Sequence, residues 1–146
     1  MNVDIVMRKG HKRSLAEASI GFFIKELRLE RSRYTLTVTT DKTLHQDESA
    51  YGMVFRIGER DIAMLLDSRM HYKDMVETIA HEMVHVKQIA RGTLDTVFSR
   101  GRMYQTWKGK RADKIAYHRR PWELEAFRRE RELTNNFVYD FLEKIK

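Results

Sequence analysis

The chain contains no cysteine, one proline and no long apolar run. Without cysteine it forms no disulfide, no iron–sulfur cluster, no thiolate zinc knuckle and no cysteine nucleophile. No apolar run approaches the roughly 18 residues of a membrane-spanning helix, and the first residues lack the apolar core and cleavage site of a signal peptide. These absences predict a cytoplasmic protein that does not bind membranes. Its 146 residues suit a single domain over 1–146.

Basic residues are concentrated in one segment of the chain. Residues 91–120 hold nine lysines and arginines against two aspartates, an excess equal to the net charge of +7 of the whole chain. Such a segment favours contact with nucleic acid or another acidic partner, although a solvated loop accounts for it equally well. Aromatic residues lie between the cations from Arg100 to Lys114, which would suit stacking on single-stranded nucleic acid.

The first half of the chain shows one helical and three strand patterns. Ser14 and Glu17 form a capping box, which predicts a helix from there to about Arg31. Alternating β-branched residues predict a strand over 34–40. Two apolar runs, 51–57 and 61–66, lie on either side of a turn signal and predict neighbouring antiparallel strands.

The second half shows two helices with a basic segment between them. A helix is predicted from Tyr72 to Arg91, with Gly92 as its left-handed C-terminal cap. Residues 93–120 have no sustained period and are predicted as a loop. Pro121 suits the first turn of a last helix that reaches nearly to the C-terminus. Because strands and helices segregate along the chain, the predicted fold class is α+β.

The second helix carries the motif His81-Glu82-Met83-Val84-His85. Residues four apart share a helix face, so both imidazoles can bind one cation. Zinc accepts neutral histidine nitrogen and keeps a position open for water in catalytic sites. Glu82 would lie beside the metal and take a proton from that water. A lone histidine beside a core is usually structural, but two histidines at this spacing with the glutamate between them predict a metal site.

A third ligand is expected downstream, where the candidates are Asp113, His118, Glu123 and Glu125. On the last helix Glu123 lies in line with a stripe of mostly apolar residues, whereas Glu125 falls on the opposite, solvated side. The stripe consists of Phe127, Thr134, Phe137, Val138, Phe141 and Ile145. A carboxylate on an apolar face is costly unless a metal or a charge compensates it, so Glu123 is the predicted ligand and His118 the reserve. Alternatively, Glu123 only complements the helix dipole after Pro121.

The motif His81-Glu82-x-x-His85, followed by Pro121-Trp122-Glu123-Leu124-Glu125-Ala126, resembles the small gluzincin-type zinc metallopeptidases. Their third ligand is a glutamate on a later helix, often in a Glu-x-x-Ala setting, and an antiparallel strand precedes the motif helix. The nearest likeness is to compact phage-type or SprT-like metallopeptidases, over roughly residues 60–127. Two departures stand out. Phe127 takes a place where many gluzincins have Asp or Asn, and SprT-like proteins commonly use a third histidine, which keeps His118 open.

The resemblance implies a zincin-like fold, in which a small sheet packs on the N-terminal, motif and C-terminal helices. It also implies hydrolysis of a protein or peptide, with zinc held by His81, His85 and Glu123 and with Glu82 as general base. The donor to the oxyanion would come from residues 117–119, which the sequence does not rank. Two alternatives to a hydrolase stay open. In the first, the chain is a zinc-containing regulator without catalytic activity; in the second, its basic segment directs it to nucleic acid.

Overall fold

The computed structural model describes residues 1–45 and 51–145, and within them the fold is α+β. One sheet holds strands β1 (Asn2–Val6), β2 (Thr35–Asp41), β3 (Gly52–Gly58) and β4 (Asp61–Asp67). The helices are α1 (His11–Glu26), α2 (Tyr72–Ala90) and α3 (Pro121–Lys144). A second sheet holds β5 (Leu94–Ser99), β6 (Arg102–Trp107) and β7 (Lys110–Arg111), and a short 3-10 helix spans Tyr117–Arg119. The predicted fold class is confirmed.

The first sheet has the strand order β1-β2-β4-β3. β1, β2 and β4 run parallel, and β3 pairs antiparallel with β4, as the two apolar runs predicted. β4 alternates in the way expected of a strand with one face in the core, since Ile62, Met64 and Leu66 are buried. β1 was not predicted: Val3 and Ile5 alternate with Asn2 and Asp4, but this pattern covers only four residues, and most of the strand is exposed. Pairing with β2 makes this short segment a strand.

Helix α2 is the central element, in contact with α1, α3 and strands β3, β4 and β5. Four apolar residues of this helix, Met75, Ile79, Met83 and Val86, are buried, and Ala90 is partly buried. On the other side of the core, Phe23 of α1 packs against Phe137 of α3, with ring centroids 5.9 Å apart. None of the helices in the described part of the chain is long and apolar enough to cross a bilayer.

The predicted bounds of α1 were wrong at both ends. The helix begins at His11, and no side chain caps its first turn. Ser14 therefore lies inside the helix, where its N–H donates to the carbonyl of Gly10. The helix ends at Glu26 instead of continuing to Arg31, because Arg28 adopts a positive φ of 55° that reverses the chain. Two leucines at this reversal are buried in the core.

The bounds predicted for the other two helices agree with the structure to within about two residues. Gly92 has a φ of 73°, the left-handed conformation predicted for the C-terminal cap of α2. Pro121 occupies the first turn of α3, where backbone N–H groups have no partner within the helix, so its missing N–H costs no hydrogen bond.

The predicted loop over 93–120 is instead mostly the second sheet. Two-residue turns join β5 to β6 and β6 to β7. The turn residues Arg100, Gly101, Lys108 and Gly109 all have positive φ, which matches the twist of a tight hairpin. The hairpins were missed because cations stand where asparagine or aspartate usually signals such a turn.

Candidate metal centre

Three predicted side chains converge where α2 meets the first turn of α3. Nε2 of His81 lies 3.1 Å, and Nε2 of His85 3.0 Å, from the same Oε1 atom of Glu123. The histidines lie one turn apart on α2, so their rings project from the same face. Pro121 begins α3 and thereby places Glu123 in its first turn. One ligand atom from each residue lies within 4.8 Å of the other two, and this group could hold a metal ion.

The opposite nitrogens of the two rings are held by neighbouring side chains. Nδ1 of His81 lies 2.6 Å from Oε2 of Glu130, and Nδ1 of His85 lies 2.8 Å from Oε1 of Gln88. In the neutral imidazoles that a metal requires, donation of the Nδ1 protons to these oxygens would leave both Nε2 lone pairs directed at the site of the metal. The pattern of partners is typical of histidines that ligate a metal.

Gln88 joins this site to the packing of α3 on α2. Its Nε2 donates to the carbonyl of Trp122 (3.1 Å) and to Oε1 of Glu125 (2.8 Å). These two bonds orient the other amide atom of Gln88, its own Oε1, toward His85. Glu125 also pairs with Lys87 at 3.1 Å. The prediction that Glu125 lies on the solvated side was therefore wrong: α2 covers that flank of α3, and the carboxylate is partly buried there.

The charges of the cluster stabilise one another strongly. Burial alone would lower the pKa of His81, but the hydrogen bond that His81 donates to Glu123 and the charge of Glu82 raise it to about 9. Burial likewise opposes ionisation of Glu123, yet its hydrogen bonds with the two imidazoles lower its pKa to about 2. The pKa of His85 is also raised, mainly by Glu123 against the opposing effect of burial.

Glu82, the glutamate of the motif, has no hydrogen-bond partner of this kind among the described residues. Its side chain is 7% exposed, and none of the hydrogen bonds or ion pairs of the described residues involves its carboxylate. Burial raises the pKa of Glu82, while the nearby charges of His85 and His81 oppose that shift. Strand β3 approaches it closely. A Cβ on Gly52 would lie 2.8 Å from Cγ2 of Thr78 and 2.9 Å from Cγ of Glu82, so only glycine fits this position without displacement.

A cleft of about 470 Å³ opens over His81 and Glu82. Its walls come from α2, from α3, from the start of β3 and from the 3-10 helix. Aromatic and acidic side chains dominate the remaining lining: Tyr51, Tyr117 and Phe127 are aromatic, and Asp74, Glu77 and Glu130 are acidic. The candidate metal centre is therefore accessible to a ligand from one side.

Of the residues named for oxyanion stabilisation, Tyr117 lines this cleft, whereas His118 and Arg119 do not. Burial and the charge of Glu123 raise the pKa of Tyr117, so its hydroxyl keeps its proton at neutral pH. His118, the reserve ligand, is exposed and does not belong to the converging group. Asp113 instead pairs with Arg111 at 2.7 Å.

The apolar stripe predicted around Glu123 was wrong in its direction. The buried residues of α3 are Trp122, Ala126, Leu133 and Phe137. They centre about 70° around the helix from Glu123, which lies at the edge of the buried face. Of the predicted stripe, Thr134 is half-buried, and several members are exposed: Phe127, Val138, Phe141 and Ile145.

Two residues that support the site were missed in the sequence. Glu130 follows Glu123 by seven residues, two helical turns, so it shares the same face of α3. Gln88 follows His85 by three residues on α2, again on the same face. These spacings were available, but only the packing of α3 on α2 directs both side chains to the histidines.

Comparisons of this chain with protein-family profiles, with curated proteins and with solved structures gave no match. What is inferred about this site therefore comes from its own geometry and from the motifs of its sequence.

Proposed function

We propose that this protein is a zinc-dependent metallopeptidase of zincin-like fold. The observation that carries the proposal is the contact of two imidazole Nε2 atoms with one oxygen of Glu123, beside the buried carboxylate of Glu82. The resemblance to gluzincins supports it, because the ligands would come from the same motifs in the same order. So does the antiparallel strand β4 that precedes the motif helix.

The donor set and its spacing fit zinc. Zinc bonds of about 2.0–2.1 Å at tetrahedral angles separate ligand atoms by about 3.3 Å. The two observed separations, 3.0 and 3.1 Å, would widen by only about 0.3 Å to reach that value. His81, His85 and Glu123 would hold the ion through two imidazole nitrogens and one carboxylate oxygen, a donor set found in catalytic zinc sites. A zinc ion held there would lower the pKa of water and polarise the scissile carbonyl.

Glu82 would move the proton in this reaction. Its carboxylate accepts a proton from the attacking water and then delivers it to the nitrogen of the leaving amine. The burial that raises its pKa makes it a group that can hold the proton between these two transfers. Tyr117 keeps its own proton and lines the same cleft, so its hydroxyl is the proposed donor to the oxyanion.

The position of β3 favours a polypeptide substrate. β3 is the last strand in the order of the first sheet, and it reaches the cleft at Gly52. The outer edge of such a strand offers main-chain groups that an extended peptide can pair with. A substrate chain lying along β3 would thereby be carried past Glu82 and the metal.

The test compares wild type with Glu82→Gln and with Glu132→Gln, a matched change at an exposed glutamate of α3. We expect one zinc per chain in all three proteins by elemental analysis. Cleavage of a complex peptide mixture, followed by mass spectrometry, should fall about 10²–10⁴-fold in Glu82→Gln and stay unchanged in Glu132→Gln. A zinc-loaded wild type that cleaves no peptide would instead favour the non-catalytic regulator.

A second function, binding of nucleic acid, is favoured by the surface of the second sheet. Five basic residues there are exposed and pair with no carboxylate of the described residues: Arg100, Arg102, Lys108, Lys110 and Lys114. Arg111 lies over the ring of Tyr104 at 4.6 Å, which places a cation beside an aromatic side chain. We propose that this surface binds single-stranded nucleic acid through phosphate contacts and stacking.

A further inference from the structure

The cleft over the metal centre has a charge opposite to that of the whole protein. The chain has a net charge of +7. Yet Asp74, Glu77, Glu82 and Glu130 line this cleft, four acidic residues against one basic side chain, His81, and no lysine or arginine of the described residues does so. A concave surface lined by one sign of charge concentrates ligands of the opposite sign. A cationic group is thus favoured here, in a protein that otherwise repels cations.

Asp74 and Glu77 extend the metal-binding face of α2 toward the start of the helix. They precede His81 by seven and four residues, so they lie on its face. Neither forms an ion pair with a lysine or arginine in the described part of the chain. The helix dipole accounts for Asp74, which lies in the first turn. It does not account for Glu77 in the second turn, which lies near Glu130 of α3; burial and the charge of Glu77 raise the pKa of Glu130, although His81 opposes this shift.

Two further observations identify this cleft as a place for a ligand. Glu82 is 7% exposed, lacks a hydrogen-bond partner among the described residues and faces the cleft. Tyr51, Tyr117 and Phe127 line the same space and are about half-exposed (47%, 53% and 51%). Half-exposed aromatic rings beside carboxylates are a typical setting for a cationic side chain, because the face of each ring attracts positive charge.

We propose that the substrate carries an arginine or lysine close to the scissile bond, and that Asp74 and Glu77 bind this side chain in the cleft. The inference depends on the proposed function, since it names the substrate class of that site. Arginine is the preferred ligand. Its planar guanidinium can pair with a carboxylate through two hydrogen bonds while it stacks on an aromatic ring. Asp74 and Glu77 are thus specificity-determining residues, separate from the groups that carry out hydrolysis.

The first experiment measures cleavage of matched peptides by the zinc-loaded protein. The peptides are identical except at one position, which carries arginine, lysine, glutamate or citrulline, the neutral analogue of arginine. That position is moved along the peptide so that the result does not depend on the register of binding. We expect kcat/KM to be about tenfold higher for arginine than for citrulline at the preferred position. Raising the salt from 50 to 500 mM should reduce this ratio, because the charges are partly exposed.

The variants assign the preference to particular residues. In the double variant Asp74→Asn/Glu77→Gln, the arginine-to-citrulline ratio should fall to within about twofold of one, whereas Glu132→Gln should keep the wild-type ratio. Bound zinc in the double variant shows that it is folded. Asp74→Glu/Glu77→Asp, which keeps both charges, should retain most of the preference. A wild-type enzyme with no preference for arginine, or a double variant with an unchanged preference, would overturn the proposal.

A binding measurement separates this proposal from the proposed function. Zinc-loaded Glu82→Gln is titrated calorimetrically with the arginine peptide and with the citrulline peptide. Suppose that the wild-type protein cleaves no peptide, but that Glu82→Gln binds the arginine peptide about tenfold more tightly than the citrulline peptide. If the additional change Asp74→Asn/Glu77→Gln then removes this difference, the cationic site is supported and the peptidase proposal fails. If Glu82→Gln binds both peptides equally and the wild-type protein cleaves them, the peptidase proposal is supported and the cationic site is rejected. Equal binding or no binding, without cleavage, rejects both.

Discussion

Glu130 lies behind the candidate metal centre, with its Oε2 atom 2.6 Å from Nδ1 of His81, on the side of the ring opposite Glu123. The resemblance to gluzincins leads one to expect an Asp or Asn at the position of Phe127. The ring of Phe127 instead packs edge-on against His81, with centroids 4.7 Å apart. The carboxylate comes from Glu130, three residues later on the same face of α3. A different position in the helix thus supplies the partner that orients the imidazole.

Replacement of Glu130 by glutamine is expected to weaken zinc binding without abolishing it. The amide can still accept from Nδ1 of His81, but it removes the negative charge that makes the imidazole a better ligand. The expected loss is about 10–100-fold in zinc affinity. Titration against a competing chelator measures it, with Glu132→Gln as the control that changes charge on the same helix. An unchanged affinity would mean that Glu130 does not support the metal.

Replacement of Gln88 by leucine is expected to affect both the metal and the fold. Gln88 is 1% exposed, and its loss removes the acceptor for Nδ1 of His85 and the amide that donates to the carbonyl of Trp122 and to Oε1 of Glu125. We expect the free energy of unfolding of the metal-free protein to fall by about 2–3 kcal/mol. Urea denaturation measures it. Asn135→Leu, at an exposed position of α3, should change stability by less than about 0.5 kcal/mol.

The pKa shifts at the site predict opposite pH dependences with and without zinc. His81 has its pKa raised to about 9, so its stabilising contribution to the metal-free protein is complete below about pH 6.5 and is lost as pH rises toward 9. Glu123 has its pKa lowered to about 2, so its contribution is complete above about pH 4.5 and is lost as pH falls toward 2. The metal-free protein should therefore be most stable between about pH 4.5 and 6.5.

Zinc binding should instead strengthen as pH rises. The metal needs neutral imidazoles, so binding near pH 7 releases one to two protons and the apparent affinity rises about 10–100-fold per pH unit. Calorimetry in buffers of different ionisation enthalpy counts these protons. His118→Asn, at the exposed histidine, should leave the proton count unchanged. Release of no protons at pH 7 would contradict the raised pKa values.

Gly52→Ala tests how closely β3 must approach Glu82, the proposed general base. The added Cβ would lie 2.8 Å from Cγ2 of Thr78 and 2.9 Å from Cγ of Glu82, so Glu82 or the strand must move. We expect peptide cleavage to fall at least tenfold, stability to fall by about 1–3 kcal/mol, and zinc to stay bound. Gly21→Ala is the matched control. Gly21 lies in α1 with no atom within 4 Å of an added Cβ, and its replacement should stabilise the helix by about 0.5–1 kcal/mol.

Binding of single-stranded nucleic acid by the second sheet should depend on salt. The logarithm of the association constant should fall linearly with the logarithm of salt concentration, by about 0.7 for each phosphate contact. Neutralising Lys108, Lys110, Arg111 and Lys114 together should weaken binding and flatten this slope. Fluorescence anisotropy with a labelled oligonucleotide measures both. Neutralising Lys25 and Lys144, which lie outside the second sheet, is the control. No binding at 50 mM salt, or a slope that the four changes leave unaltered, would rule out this surface.

The local sequence alone determined the elements that carry the candidate metal ligands. The spacing of the apolar residues and Gly92 determined the extent of α2, and the i, i+4 spacing placed His81 and His85 on one face of this helix. Pro121 set the start of α3 and hence the position of Glu123 in its first turn. These features depend on backbone preferences and helix geometry within a few residues. For that reason they are readable without knowledge of the fold.

Tertiary structure decided the surroundings of the ligands. β1 pairs with β2 although its own pattern is weak, and Glu125 is covered by α2 although it looked solvated. The buried face of α3 is rotated by about 90° from the predicted stripe, because the helix packs against both α1 and α2. That rotation brings Glu123 and Glu130 to the edge of the α2–α3 contact, beside the histidines. Such contacts between residues 38 to 49 positions apart depend on how helices pack, which no local pattern encodes.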